Sequence, residues 1–229
     1  ITFLIIYPFL YCVAYSLSSS QAVMTKNVTF YPIGFTLENY KRVFKQNHLA
    51  SSFLISVFRT FGGIVGTLLV TGLAAYAVSK PRLPGRRWIS LVLIIPMYIS
   101  GGLIPSYVLM YHLHLVNNFM IFVLPNMFWA FNMLLMRTYF EGIPDSLIES
   151  AKLDGAGEIK ILIKIILPLS MPIIAVIAMY SGVWQWNAWF DSMLYITSPK
   201  LKPLQAILQE MIKASSTSMM QMSQSGGQA

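Results

Sequence analysis

The chain has 229 residues, of which 56% are hydrophobic and 10% are charged, and its mean hydropathy is +0.63. Because an average soluble domain carries about 25% charged residues, this composition indicates a membrane protein. The net charge of +8 comes from basic residues that form no isolated patch, which argues against nucleic acid as a partner, and the single cysteine, Cys12, excludes a disulfide framework or a cysteine-rich metal site.

Five apolar runs are candidate membrane spans, because a helix needs about 20 apolar residues to cross a bilayer core. The first run, residues 1–17, has no charged segment before it, so it does not read as a signal peptide. We expect it to be the remainder of a first transmembrane helix whose start precedes the sequence. The other predicted spans are residues 52–79, 88–110, 119–137 and 161–184. The pattern predicts an all-α, polytopic transmembrane helical bundle.

Several residues inside these spans have simple structural interpretations. Gly62 and Gly66 form a GxxxG pair, which lets helix backbones approach closely in lipid. Arg59, at the predicted outer end of the second span, is expected to extend its side chain to the membrane interface. Prolines in the third and fourth spans should kink the helices. Each proline leaves a backbone carbonyl without its helical partner, and neighbouring helices must satisfy that carbonyl. These prolines are Pro96, Pro105 and Pro125.

The region from Trp88 to Met136 contains no Asp, Glu, Lys or Arg, and a single helix of that length would far exceed a ~30 Å hydrocarbon core. The chain must therefore turn within this region. A short polar segment at the outer surface is the expected turn. It contains His112, His114, Asn117 and Asn118. Two histidines without companion ligands do not predict a metal site.

The distribution of charge predicts the orientation of the spans. Segments 80–87 and 137–164 hold eight of the sixteen basic residues, so the positive-inside rule assigns them to the cytoplasm. Five of the eight acidic residues fall within residues 141–158, and ionised groups at that density need water or a docked protein around them. The loop between the fourth and fifth spans is therefore expected to be cytoplasmic and exposed.

Local signals predict a short helix in this loop. Pro144 suits the first turn of a helix, and Asp145 complements the positive end of its dipole. Leu147, Ile148 and Ala151 can share one helix face. Gly155 can adopt the left-handed conformation that ends a helix, and it follows Asp154. An ordinary helical hairpin between two spans is the alternative interpretation of this segment.

The loop also contains Glu149-Ser150-Ala151 and Gly155, and Ile165-Ile166-Leu167-Pro168 follows Gly155 after nine intervening residues. This spacing closely resembles the EAA loop of ABC importer permeases, with Ser150 in place of the usual alanine. Residues 36–44, 137–157 and 186–205 resemble carbohydrate permeases similar to the second permease subunit of the maltose importer. Within that group, the chain is similar to permeases for aldouronate, rhamnogalacturonan or alginate oligosaccharides.

The resemblance implies a type I ABC importer permease in the bacterial cytoplasmic (inner) membrane, with a sixth span missing from the sequence, so that we expect the cellular protein to be longer. It implies a homologous second permease subunit, two ATP-binding subunits and an extracytoplasmic solute-binding protein as partners. ATP and Mg²⁺ would be bound by the ATP-binding subunits, while this chain would hold no cofactor and would not itself be an enzyme. The implied ATPase-coupling residues are Glu149, Ser150, Ala151, Asp154, Gly155, Ala156, Ile165, Leu167 and Pro168.

The resemblance also divides the chain. Residues 1–50 form the truncated first helix and an external loop, residues 51–215 form the permease core, and residues 216–229 form a polar tail. The coupling loop occupies residues 141–160 of the core.

Aromatic and polar residues near the predicted outer end of the fifth span suit sugar binding, since aromatic faces lie beside a carboxamide and a carboxylate. An interfacial aromatic belt is the alternative. On the fourth span, Asn132 is a better pathway candidate than Asn126. The candidate pathway residues are Trp129, Asn132, Trp184, Trp186, Asn187, Trp189 and Asp191.

Three other functions remain as alternatives to a carbohydrate importer. An ABC permease for another solute would share the coupling loop. An ion-driven secondary transporter would need ionisable residues at membrane depth, and Arg59 alone suggests one. An intramembrane enzyme would need a catalytic pair in the spans, and the sequence has no GxSxG, HExxH or P-loop pattern.

Overall fold

A computed structural model of the chain describes residues 2–24, 29, 31–41 and 49–225. All regular elements in these residues are helices, so the predicted all-α class is confirmed. The chain divides into two compact units, Ile1–Ser51 and Ser52–Ala229. In the first unit, the side-chain amide of Asn39 donates to the backbone carbonyls of Ser16 and Ser18, each at 3.1 Å. These bonds tie residues 31–41 to the end of the first helix.

The main helices of the described residues are numbered in chain order. They are α1 (Thr2–Ser16), α2 (Ser20–Met24), α3 (Leu49–Ser79), α4 (Arg86–Tyr98), α5 (Leu103–His112), α6 (Ala130–Glu141), α7 (Asp145–Leu153), α8 (Glu158–Leu169), α9 (Met171–Asn187), α10 (Phe190–Tyr195) and α11 (Leu204–Ser225). Short 3₁₀ segments, Phe119–Phe122 and Leu124–Asn126, precede α6, and another, Pro199–Leu201, precedes α11.

Within the described residues, α3 is long and apolar enough to cross a membrane without a break. Three further pairs of helical segments reach that length only when each bent pair is taken as one span. The bends are 116° between α4 and α5, 49° between Phe119–Asn126 and α6, and 81° between α8 and α9. The runs predicted as spans at 88–110, 119–137 and 161–184 are therefore each interrupted by a sharp bend, and the number of spans stays a prediction.

Glycine and proline explain where the breaks fall. Between α4 and α5, Gly102 has φ 82°, a left-handed conformation that ends helical geometry. The 3₁₀ segment before α6 contains Pro125, which has no N–H to continue an α-helical ladder. At the third break, Ser170 ends α8 and precedes Pro172 in the first turn of α9.

Side chains on neighbouring helices satisfy the carbonyls that the second break frees, as the sequence predicts for a kinked span. Thr67 donates its hydroxyl to the carbonyl of Asn126 at 3.1 Å, and Thr71 donates to that of Met127 at 3.0 Å. The GxxxG pair of α3 faces the same segment. A Cβ atom on Gly66 would lie 2.9 Å from Met127 Cγ, which confirms that glycine is needed for this close approach.

The main core of the second unit lies between α3, α6, α8 and α9. It consists of Ala75, Tyr76, Val78, Met133, Met136, Phe140, Ile161, Leu162, Ile166 and Ile177. α11 joins the same unit where the backbone N–H of Leu204 donates to the hydroxyl of Ser56 at 2.8 Å. Helical structure continues through Ser225, so most of the segment predicted as a polar tail is helical.

The predicted turn after α5 is confirmed. His114 and Asn117 have φ values of 56° and 58°, which reverse the chain at the left-handed positions. The side chain of Asn117 accepts from the backbone N–H of Ser198 at 2.9 Å, and Asn118 caps the following 3₁₀ segment. Groups of three or more His, Cys, Asp or Glu that could hold a metal ion are absent from the part of the chain that the structure describes.

Candidate functional site

The loop between α6 and α8 contains the predicted short helix, α7, which begins at Asp145. Gly155 follows it with φ 74°, so the predicted left-handed stop is confirmed. The N–H of Gly155 donates to the carbonyl of Lys152 at 3.0 Å, and that of Ala156 donates to Ala151 at 2.9 Å. This pair of bonds is a Schellman motif, which satisfies two of the last helix carbonyls and fixes the direction in which the chain leaves α7.

The two faces of α7 have different surroundings. Ile148 and Ala151 pack against the main core, so the short side chain of the motif's second alanine faces inward. Glu149 and Ser150 are exposed. The Ser150 hydroxyl donates to the carbonyl of Ser146 at 2.9 Å, so this departure from alanine is satisfied within the helix. Leu147, which was predicted to share a helix face with Ile148 and Ala151, is 44% exposed.

Two apolar side chains of this mostly polar loop are largely exposed to solvent. Leu153, the last residue of α7, is 89% exposed, and Ile159, near the start of α8, is 75% exposed. Neither residue was predicted from the sequence as a contact residue, although isolated apolar residues in a charged segment are a usable signal. Both side chains are therefore accessible at the surface of the loop.

The final motif residues lie outside the loop. Ile165 lies within a π-helical turn, Leu162–Ile166, and the N–H of Leu167 donates to the carbonyl of Leu162. Pro168 follows, and its missing N–H removes the next helical bond. The structure thus brings together the six predicted coupling residues that lie between positions 149 and 156. Ile165, Leu167 and Pro168 instead shape the helix that leads back into the bundle.

Two carboxylates flank α7 and bind basic side chains. Glu141, the last residue of α6, forms ion pairs with Arg86 and Arg137. Glu158, the first residue of α8, forms ion pairs with Lys80 and Lys152. We name these the Glu141 cluster and the Glu158 cluster. The Glu158 cluster reaches Lys80, which follows α3, and the Glu141 cluster reaches Arg86, the first residue of α4. Neither connection to the loop was predicted from the sequence.

A cavity of about 700 Å³ brings together three of the predicted pathway residues. The rings of Trp129 and Trp184 meet edge to face with centroids 5.1 Å apart, and Asn132 is 7% exposed beside them. The lining also includes amides, a hydroxyl and apolar groups, and none of its residues is ionisable apart from Tyr180. Cavities of this size with aromatic walls and a few polar groups are typical ligand sites.

The other predicted pathway residues lie elsewhere. Asn187, Trp189 and Asp191 line a second cavity of about 810 Å³, which shares Trp184 with the first. Trp186 lines neither cavity, because its ring packs edge to face on Phe53 with centroids 6.0 Å apart.

Arg59 lies between the two cavities rather than at an interface. It is 0% exposed, so the prediction that it extends to the membrane surface is wrong. Its guanidinium binds Asp191 at 2.5 and 3.2 Å, the side-chain oxygen of Gln185 at 3.0 Å and the carbonyl of Ala188 at 3.0 Å. It also lies 4.5 Å from the ring centroid of Phe122. These partners satisfy the guanidinium inside the protein, so no path to water is needed.

Comparison with known proteins agrees with these features. A family model described as "Binding-protein-dependent transport system inner membrane component" matches residues 62–225. The polygalacturonan/rhamnogalacturonan transport system permease protein YtcP of Bacillus subtilis (strain 168) is 33% identical over 96% of this chain and 77% of its own length. The arabinooligosaccharides transport system permease protein AraQ of Halalkalibacterium halodurans is 30% identical over 82% of this chain and 69% of its own length.

A solved structure shares the fold. The crystal structure of a bacterial ABC transporter involved in the import of the acidic polysaccharide alginate contains a chain that is 34% identical to this one. The match has a TM-score of 0.87 and covers 91% of this chain and 75% of that chain. The helical fold, the loop around α7 and the family match lead to one assignment: the chain belongs to the family of binding-protein-dependent transport system inner membrane components.

Proposed function

We propose that this chain is a multi-pass permease subunit of a bacterial ABC importer for oligosaccharides, and that acidic oligosaccharides are among its substrates. The relatives' names support a carbohydrate cargo, since they specify polygalacturonan or rhamnogalacturonan, arabinooligosaccharides and alginate. The basic segments 80–87 and 137–164 support an orientation with α7 on the cytoplasmic side.

The geometry of α7 is the observation that carries this proposal. An exposed helix, closed by a rigid Schellman turn, carries Glu149 outward and ends in the exposed Leu153. A helix of this kind can seat in a groove of a partner through its apolar side chains. ATP and Mg²⁺ are bound by that partner, an ATP-binding subunit. The permease transmits the partner's movement and has no hydrolytic chemistry of its own.

The coupling residues then have two roles. Residues from Glu149 to Ala156 form the surface that the ATP-binding subunit contacts. Ile165, Leu167 and Pro168 lie in α8, where the π-helical turn and the proline determine how the loop joins the bundle. α8 and α9 meet at a bend of 81°. A displacement of the loop therefore changes the angle between α8 and α9, whereas it would slide a straight helix along its axis.

The first cavity is the proposed sugar pathway through this subunit. Trp129 and Trp184 offer ring faces to the apolar side of a pyranose, while Asn132 and Gln185 offer amide groups to its hydroxyls. The second cavity, with Asn187, Trp189 and Asp191, continues the pathway beyond the shared Trp184. The remaining partners are a homologous permease subunit, a second ATP-binding subunit and an extracytoplasmic binding protein.

Purification and reconstitution test the proposal. The tagged chain, isolated from membranes in mild detergent, should bring with it a P-loop ATPase and a second permease. After reconstitution with the binding protein, vesicles should take up an oligogalacturonide, an alginate oligosaccharide or an arabinooligosaccharide only when ATP is supplied. ATP-dependent uptake of a peptide but no sugar would replace the cargo, and sugar uptake driven by an ion gradient without ATP would overturn the mechanism.

A further inference from the structure

We propose that Glu141 and Glu158 are positioning residues that fasten both ends of the coupling loop to the segment joining α3 and α4. Through them, a displacement of α7 is delivered to α3 and α4 as well as to the helices that flank the loop in sequence. This inference rests on the proposed function, in which α7 contacts an ATP-binding subunit.

The Glu158 cluster joins the loop to the end of α3. Tyr76 donates its hydroxyl to Glu158 Oε2 at 2.8 Å and to the backbone carbonyl of the same residue at 3.3 Å. Lys80 Nζ lies 3.2 Å from Oε2, and Lys152 Nζ lies 2.8 Å from Oε1. One carboxylate therefore connects the last turns of α3, the end of α7 and the start of α8.

The side chain of Tyr76, which contacts Glu158, is itself held in place by the core. Tyr76 is 9% exposed and packs edge to face on Phe140 of α6, with centroids 6.4 Å apart. The ammonium of Lys80 lies 4.3 Å from the centroid of the Tyr76 ring. The hydroxyl of Tyr76 therefore cannot follow Glu158 without disturbing the core, and any displacement of Glu158 acts on α3.

The Glu141 cluster makes the corresponding connection on the other side of α7. Arg86 pairs with Glu141, and its Nε also donates to the carbonyl of Val78 at 2.7 Å. Arg137 donates to Glu141 at 2.8 Å and to the hydroxyl of Ser90 on α4 at 3.2 Å. One carboxylate thus connects the end of α6 with the end of α3 and the start of α4.

The ion pairs of Glu141 and Glu158 are weak enough to allow the coupling loop to move. Glu141 and Glu158 have side chains that are 36% and 53% exposed, so each ion pair is individually weak. Several pairs on one carboxylate hold the loop in register, yet single pairs can break and re-form during a transport cycle. A buried network would resist that exchange.

Hydrogen–deuterium exchange on the assembled transporter, in lipid nanodiscs, tests the positioning role directly. The variants are Glu158→Gln, Glu141→Gln and the double variant, with Tyr76→Phe to remove the single hydroxyl. The control is Glu210→Gln, because Glu210 is 45% exposed and forms a comparable ion pair with Lys202 on a different part of the fold. We expect the amides of residues 145–157 to exchange about threefold to tenfold faster in the double variant and unchanged in the control.

The second readout is oligosaccharide uptake per ATP hydrolysed, measured on the same assembled complexes with an oligogalacturonide as the probe. A merely structural role would lower the amount of complex and leave this ratio unchanged. We expect the ratio to fall in Glu158→Gln and Glu141→Gln, with partial recovery in Glu158→Asp, which keeps the charge. Unchanged exchange in residues 145–157 would overturn the inference, as would faster exchange with an unchanged ratio.

Different results would overturn the proposed importer function and the positioning role of Glu141 and Glu158. Wild-type complexes without any ATP-dependent sugar uptake would remove the proposed function, while the exchange of residues 145–157 would still decide whether the two carboxylates hold the loop. Normal wild-type uptake with unaffected variants would remove this inference alone.

Discussion

Charge is handled in opposite ways around Arg59 and around α7. Arg59 is fully buried and meets one carboxylate, Asp191, which is itself 19% exposed. The loop carboxylates Glu141 and Glu158 are far more exposed, and each meets two basic side chains. A buried pair fixes one arrangement, because separating it leaves an uncompensated charge in a medium of low polarity. Exposed pairs can be exchanged at small cost. The difference indicates a rigid region around the cavities and an adjustable region at the loop.

The largest effect is expected when the buried pair loses one partner. Asp191→Asn leaves the guanidinium of Arg59 without its counter-charge and should destabilise the protein by about 3–5 kcal/mol. Arg59→Met should cost less, since Asp191 retains some contact with solvent. Thermal unfolding in detergent, followed by the loss of monodisperse protein, measures both.

The double variant Arg59→Met/Asp191→Leu is the control for that pair. Removing both charges should restore much of the lost stability, because neither group is then left uncompensated. If each single variant is as stable as the wild type, the region around Arg59 is not rigid and its contrast with the loop disappears.

The next effect concerns the stop at the end of α7. Gly155→Pro replaces φ 74° with a residue restricted to about −65° and removes the N–H that bonds to Lys152, at a cost of about 3 kcal/mol or more to the loop. ATP hydrolysis should continue while sugar uptake stops. Normal uptake in this variant would contradict the coupling role of α7.

Graded variants separate the backbone conformation from side-chain size. A Cβ atom on Gly155 or Gly157 would meet nothing within 4 Å, but only Gly155 is left-handed, since Gly157 has φ −72°. Gly155→Ala should therefore lower coupled uptake, at a conformational cost of about 1–2 kcal/mol, and Gly157→Ala should leave it unchanged. Equal effects at both positions would show that size, and not conformation, matters here.

Docking of the loop should depend on its exposed leucine. Leu153→Asp should weaken association with the ATP-binding subunit by about 2 kcal/mol, because the apolar side chain would no longer be buried by the partner. Leu153→Met, which nearly conserves volume, should bind like the wild type. Titration of the solubilised permease with the ATP-binding subunit measures the dissociation constant, and equal constants for Asp and Met would remove Leu153 from the interface.

The smallest expected effect is in the first cavity. Trp184→Ala removes one ring of the Trp129–Trp184 pair and should raise the KM for sugar uptake about twofold to tenfold. Trp186→Ala is the matched control, because Trp186 packs on Phe53 outside both cavities. A larger effect at Trp186 than at Trp184 would move the pathway to another face of α9.

Local chemistry explains what could be predicted from the sequence. Pro144 and Gly155 determine the ends of α7 through conformations that are properties of single residues, so the helix and its stop are found where the sequence predicts them. His114 and Asn117 mark the turn after α5 for the same reason, since polar residues tolerate left-handed geometry.

Long-range contacts explain what could not be predicted. The break before α6 is stable because the hydroxyls of Thr67 and Thr71 bond to carbonyls more than fifty residues away in sequence. Arg59 finds Asp191 across 132 residues, and Tyr76 finds Glu158 across 82. Hydropathy along one segment contains no information on such pairs, so Arg59 was assigned to the membrane interface and no role was predicted for Tyr76.

The predicted sugar-pathway residues were also only partly correct as a group. Trp129, Asn132 and Trp184 do meet in one cavity, but Trp186 belongs to a neighbouring contact although it lies two residues from Trp184. On a helix, residues two positions apart point in different directions. Closeness in sequence therefore placed Trp186 in a group of cavity-lining residues to which it does not belong.

A photo-crosslinker at position 153 gives the most direct test of whether α7 contacts an ATP-binding subunit. A benzoylphenylalanine in place of Leu153 would be irradiated in native membranes, and the adducts identified by mass spectrometry. The control position is Tyr98, which is 79% exposed at the far end of α4. We predict an adduct with a P-loop ATPase from position 153 and none with that protein from position 98. Adducts at position 153 with lipid or another permease, and never with an ATPase, would contradict the coupling role of the loop.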